Sequence, residues 1–179
     1  YFYEEGVTPG VCRLIYAVDR ERLAIAAALD AELPPVDEAF HEAGFGPQGD
    51  LWATINGSRM LTALRAPGAL ETRWLTEDVP YGLAAWSKLG EQVGVACPTM
   101  RALVELASAA VGIDFWGCAR TPEDLGVAGM SKKAMLDYVG ETPIFGDKLG
   151  EAAPTAADVE HAHARLEAEF FGDQIEFRL

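Results

Sequence analysis

Thr8-Pro9-Gly10-Val11-Cys12-Arg13-Leu14-Ile15-Tyr16-Ala17-Val18-Asp19-Arg20-Glu21-Arg22-Leu23-Ala24-Ile25-Ala26-Ala27-Ala28-Leu29 carries its apolar residues at intervals of three and four. Val11, Leu14, Ile15, Val18, Ile25 and Leu29 keep that spacing, with Arg22 as the polar exception. Such a period belongs to one face of an α-helix, here of about 20 residues. Thr8 is a good N-cap, and Pro9 suits the first helical position, where the amide it lacks would have no partner. Asp30 to Pro35 closes the helix.

Working outward, the same signals recur. A short helical piece fits 36–43, and Gly44-Phe45-Gly46-Pro47-Gln48-Gly49 breaks the chain. Asp50 caps a helix holding Leu51, Ile55, Met60 and Leu64, which Pro67-Gly68 stops. Residues 71–81 show no clear period and run into a helix carrying Leu83, Trp86 and Leu89, finished near Gly94. Pro98 opens a helix holding Leu103, Leu106 and Val111, with Gly112 beyond its end. Thr121-Pro122-Glu123-Asp124 is a capping signature for a short helix. Ser131 caps another, closed by Gly140. Residues 141–154 read as a linker, and Thr155-Ala156-Ala157-Asp158 opens a helix ending at Phe171-Gly172. Gln174-Ile175-Glu176-Phe177-Arg178-Leu179 alternates and is the one strand candidate. The expected fold is all-α, with about seven or eight helices around one core and a short C-terminal strand.

Composition narrows the function classes. The 179 residues carry 14 Lys+Arg against 28 Asp+Glu, a net charge of −14. A chain so acidic repels phosphate backbones, which argues against nucleic-acid binding. No apolar run reaches the ~18 residues of a membrane span, and no signal peptide opens the chain. Cys12, Cys97 and Cys118 are too few and too scattered for a disulfide framework or zinc site. They read as reduced thiols, so the expected compartment is the cytoplasm. The first residue is Tyr1, which fits a segment from inside a longer gene product.

Several chemical-looking signals have plainer readings. Gly44-x-Gly46-x-x-Gly49 spells the dinucleotide fingerprint, but that mechanism needs a buried strand just before it. Asp37-Glu38-Ala39-Phe40-His41-Glu42 is no strand, so a loop is the reading. Asn56-Gly57-Ser58 spells a glycosylation triplet within an expected helix. His161 and His163, two apart, would point about 200° from each other on a helix, and His41 lacks a partner at ligand spacing. No metal site is expected.

Arg73-Trp74-Leu75-Thr76-Glu77-Asp78-Val79-Pro80-Tyr81-Gly82 stands out. A guanidinium is the best bidentate partner for a substrate carboxylate. An Asp at a helix N-terminus sits where the helix dipole favours negative charge. From there it can orient a histidine and stabilise its imidazolium form. The plain alternative is an acidic helix start with Thr76 as cap and Arg73 in a surface ion pair.

Four blocks resemble the C-terminal helical domain of the octopine/nopaline dehydrogenase family. They are Phe2-Tyr3-Glu4-Glu5-Gly6-Val7-Thr8-Pro9 with Asp19-Arg20-Glu21-Arg22-Leu23-Ala24-Ile25; Arg73 to Leu83; Val95-Ala96-Cys97-Pro98-Thr99; and Gly117-Cys118-Ala119-Arg120-Thr121-Pro122-Glu123-Asp124-Leu125-Gly126. The resemblance spans residues 1–139, the expected substrate domain, a fold like the C-terminal domain of 6-phosphogluconate dehydrogenase. Residues 140–179 match no block of the family and are expected to be an extension packed on or beside that domain.

Family members reduce the imine formed between a 2-oxo acid and an amino acid, using NADH or NADPH. The resemblance implies that Asp78 partners a catalytic histidine and that Arg73 binds a substrate carboxylate. It implies that Trp74, Thr76 and Glu77 shape the pocket, and that Thr8 and the Phe2-Tyr3 pair line the cleft between domains. The family's histidine and its nucleotide-binding Rossmann domain lie upstream of these residues. The expected partners are therefore an N-terminal nucleotide-binding domain, a 2-oxo acid and an amino acid, with no cofactor-binding residue in this chain and no turnover by it alone. A homodimer, a non-catalytic helical module and a sister reductase for 2-oxo or 2-hydroxy acids stay open alternatives.

Overall fold

Thr8 Oγ1 accepts the Val11 N–H at 3.3 Å, and Pro9 begins a 20-residue helix, α2 (Pro9–Ala28). This computed structural model describes residues 1–141, with side chains through Tyr138. Residues 1–136 form one unit, and of the second, from Asp137 on, only the end of a helix is described. The expected strand, linker and last helix, with His161 and His163, lie outside the described residues.

Every regular element among the described residues is helical. A five-residue helix, α1 (Phe2–Gly6), precedes α2; then come α3 (Val36–Glu42), α4 (Leu51–Asn56), α5 (Arg59–Thr62) and α6 (Arg73–Thr76). A π-helical segment at Val79–Ala84 leads without a break into α7 (Ala85–Val93), followed by α8 (Pro98–Val111) and α9 (Lys132–Glu141). α2 ends with Asp30 at φ 55°, a left-handed position more often held by glycine or asparagine. There the Ala31 N–H reaches Ala26 O at 2.9 Å and the Asp30 N–H reaches Ala27 O at 3.1 Å.

Two expected elements come out differently. The helix expected from Asp50 to Leu64 is two helices, because the chain turns at Gly57 and Ser58 caps α5 through Leu61 N–H. The Asn56-Gly57-Ser58 triplet thus lies at a helix break, not inside a helix. The helix expected after Thr121 is a single turn. Its reciprocal bonds do form, Thr121 N–H to Asp124 Oδ2 at 2.8 Å and Asp124 N–H to Thr121 Oγ1 at 3.2 Å. Gly126 at φ 73° then ends it, with the Val127 N–H returning to Pro122 O.

Among the described residues the buried side chains gather in three clusters, where one core was expected. Val7, Cys12, Leu51, Ile55 and Leu61 bury one end of α2. Ile25, Cys97 and Met100 bury the other. Val79, Ala84, Val104, Phe115 and Ala119 seat the π-helical segment on α8, and Leu83 packs against this cluster and the second.

Polar groups tie these parts together. Arg22, the exception on the apolar stripe, pairs with buried Asp19 at 2.7 Å and donates to Pro34 O. Asp19 also accepts the Val36 N–H at 3.0 Å, fixing the start of α3. The N-cap of α8, Cys97, makes no side-chain cap. Buried Glu21 replaces it, accepting Thr99 N–H at 2.7 Å and Met100 N–H at 2.9 Å.

Candidate functional site

The aperiodic stretch is two short helices of different pitch. α6 has the ordinary α period, while the segment after Asp78 takes the rare π form, which recurs at functional sites. Asp78 is exposed and stands at the N-terminus of the helical run Val79–Val93, where the backbone dipoles favour its negative charge. It accepts no hydrogen bond and makes no ion pair among the described residues.

α1 comes to this segment. The Phe2 ring meets the Trp74 indole at 4.4 Å and 65°, and Tyr3 meets Phe2 at 5.0 Å and 85°. The Phe2 N–H donates to Leu64 O at 2.8 Å, which fixes the start of α1 beside the end of α5. Burial, with the nearby Asp78 carboxylate, pushes the Tyr3 phenol above its ordinary value of 10.0. Phe2, Tyr3 and Trp74 are thus one aromatic cluster, and the Asp78 carboxylate is near enough to act on the Tyr3 phenol.

The other expected residues stand differently. Arg73 is 79% exposed and pairs with Glu77 one turn on, Nε to Oε1 at 3.2 Å. Thr76 is not a cap: its Oγ1 donates to Thr72 O at 3.1 Å, and Thr72 occupies the N-cap position. Thr72 Oγ1 is buried without a hydrogen-bond partner among the described residues. Thr8 makes no hydrogen bond or ring contact with the cluster; its hydroxyl holds the α2 N-terminus.

One pair went unread in the sequence. The Arg120 guanidinium lies over the Tyr81 ring at 5.2 Å from its centre. The two are far apart in the chain, and no periodicity links them.

The glycine-rich loop does not fit a nucleotide. It joins α3 to α4, with no strand among the described residues. A Cβ at Gly46 would fall 2.0 Å from the Thr54 carbonyl oxygen, so this glycine is there for close packing against α4. His41 Nδ1 lies 3.0 Å from Gly46 O across the same loop. Among the described residues no three His, Cys, Asp or Glu side chains gather to hold a metal ion. No helix there is long and apolar enough to cross a membrane.

Among the described residues, an all-helical domain presents a carboxylate and an arginine beside an aromatic wall. The profile of the family described as NAD/NADP octopine/nopaline dehydrogenase, alpha-helical domain, matches residues 1–111, and the chain belongs to that family. It is 36% identical over 138 residues to an opine dehydrogenase of Arthrobacter sp. (strain 1C), covering 77% of this chain and 38% of that protein. It is 27% identical over 140 residues to a vitopine synthase of Allorhizobium ampelinum, covering 76% of this chain and 38% of that protein. The chain therefore spans less than two fifths of the length of these relatives. A solved octopine dehydrogenase with NADH and L-arginine superposes with a TM-score of 0.58 at 20% identity, over 74% of this chain and 40% of that one. That likeness supports the fold.

Proposed function

We propose that these residues are the substrate-binding helical domain of an NAD(P)H-dependent opine-type dehydrogenase, which condenses a 2-oxo acid with an amino acid and reduces the imine. The observation that carries the reading is Asp78, exposed at the head of a π-helical segment beside Tyr3, in a chain of this family. Relatives in the fold were solved with NADH and L-arginine, agmatine or pyruvate, which supports small-molecule substrates and an NAD-type cofactor.

Asp78 orients a histidine supplied from outside these residues and stabilises its charged form, so that the histidine exchanges a proton as the imine is reduced. Arg73 turns from Glu77 to a substrate carboxylate, and Trp74, Phe2 and Tyr3 form the apolar wall. Thr76 and Glu77 shape the floor, and Thr8 lines the rim. The nucleotide belongs to a separate N-terminal domain, the free thiols suit a cytoplasmic enzyme, and the helical domain turns nothing over alone.

The test is NAD(P)H oxidation by the full natural chain, with pyruvate and a panel of amino acids. Consumption requiring both substrates supports the reading. Consumption with an oxo acid alone makes the protein a simple reductase, and no consumption with any pair counts against the proposal.

A further inference from the structure

An imine built from a 2-oxo acid and an amino acid carries two carboxylates, and a guanidinium is the strongest bidentate partner for either. This inference rests on the function proposed above. That reading gives one carboxylate to Arg73, whose Nε lies 3.2 Å from Glu77. The second cation is tied to the next turn through Tyr81. Tyr81 N–H donates to Glu77 O at 3.0 Å, so Glu77, Asp78 and Tyr81 share one turn, and Arg120 lies on the Tyr81 ring.

We propose that Arg120, held flat on Tyr81, binds the second carboxylate of the substrate. Its backbone is fixed on both sides. Ala119 is buried with Val79 and Ala84, which pins the chain against the π-helical segment. Thr121 is locked by its N–H and Oγ1 bonds to Asp124 Oδ2, at 2.8 and 2.9 Å. The guanidinium itself is exposed and has no carboxylate within ion-pair distance among the described residues. Asp124 is the neighbouring carboxylate, and its Oδ2 is already engaged by Thr121. Stacking on an aromatic face leaves the edge of a guanidinium, where its N–H donors lie, open to a bidentate carboxylate. Tyr81 thus ties Arg120 to the turn that also carries Glu77 and Asp78.

The experiment titrates the full natural chain with N-(1-carboxyethyl)alanine, which has two carboxylates, and with N-ethylalanine, which has one. Wild type is expected to bind the dicarboxylate at least tenfold more tightly. Arg120→Gln brings the ratio close to one, Arg120→Lys restores part of it, and Tyr81→Leu lowers it by releasing the guanidinium. Equal weakening toward both ligands in Arg120→Gln would show a structural role and overturn the proposal, as would an unchanged ratio. Wild type that binds neither ligand, or both alike, overturns it too. NAD(P)H turnover is read in parallel. A lost ratio without turnover keeps this anion site and removes the imine reading, while turnover with the ratio kept does the reverse.

Discussion

Glu21 Oε2 accepts the backbone N–H of Met100 at 2.9 Å across 79 residues of chain, and Glu21 Oε1 takes Thr99 beside it. A side chain in the middle of α2 therefore caps α8. Charged hydrogen bonds contribute about 1.5–3 kcal/mol, and lost caps cost about 0.5–2. Glu21→Ala is expected to lower unfolding free energy by about 2–4 kcal/mol, and Glu21→Gln by roughly half that. Urea unfolding followed by circular dichroism measures both. A Glu21→Ala midpoint equal to wild type would remove the cap from the stability of the fold.

Gly46 against Thr54 makes a second case. An added methyl would meet backbone at 2.0 Å, where nothing flexible can yield. Gly46→Ala should cost about 3 kcal/mol or more, at the upper end of overpacking. In the full natural chain the nucleotide Kd should stay unchanged while the melting temperature falls. A nucleotide Kd that rises with no loss of stability would return this loop to the cofactor.

Asp78→Asn keeps shape and loses charge. As the partner of a catalytic histidine, Asp78 should matter to kcat by about 10²–10⁴-fold, the span of acid–base contributions. KM for both substrates should move little. Steady-state rates in the full natural chain decide it, and an unchanged kcat takes Asp78 out of the proton-handling pair.

Arg73 and Glu77 are predicted to act in opposite directions. Arg73→Ala should raise KM for a carboxylate substrate about 10- to 100-fold, as loss of a charged hydrogen bond of roughly 1.5–3 kcal/mol requires. Glu77→Gln removes the competitor and should lower that KM about twofold, since an exposed helical pair is worth only about 0.3–0.5 kcal/mol. Parallel increases in both variants would contradict a competition between Glu77 and substrate.

Stability should fall at alkaline pH. Burial pushes the Cys12 and Cys97 thiols above their ordinary 9.0, and the Tyr3 and Tyr16 phenols above 10.0. The unfolded chain then releases these protons before the folded one does. Between the two pKa values the folded state holds more protons, so unfolding free energy decreases as pH rises. The stability is full below about pH 9 and is lost progressively above it. Urea midpoints at pH 8 and pH 10 test this, and the Cys12→Ala/Cys97→Ala variant should show a shallower decline.

Local signals were legible where one period and one cap governed an element. α2 was readable to its cap because Thr8, Pro9 and a three-four stripe agree. The 71–81 stretch was opaque because an α turn passes into a π turn, and no single period spans both. At 50–64 the apolar spacing continued through a break that only the crowding of Gly57 against Pro47 reveals. At Thr121 the capping signature was real, and Gly126 cut it short. In the candidate site, Arg73 and Glu77 could be paired from their spacing of four. Tyr3 beside Asp78, Phe2 against Trp74 and Arg120 over Tyr81 join residues distant in the chain, which only the tertiary fold brings together.

The π-helical segment also acts as a phase adjuster. Each residue turns a helix by about 100°, so removing one between Val79 and Ala84 would rotate all of α7 without changing its composition. Gly90, where an added Cβ would fall 2.7 Å from Cys97 Sγ, would give up that position to a neighbour with a side chain. Substitutions in this segment sample chemistry, whereas length changes re-index the helix behind it. Grafting this segment from a relative will succeed only when the residue count from Asp78 to Gly90 is conserved.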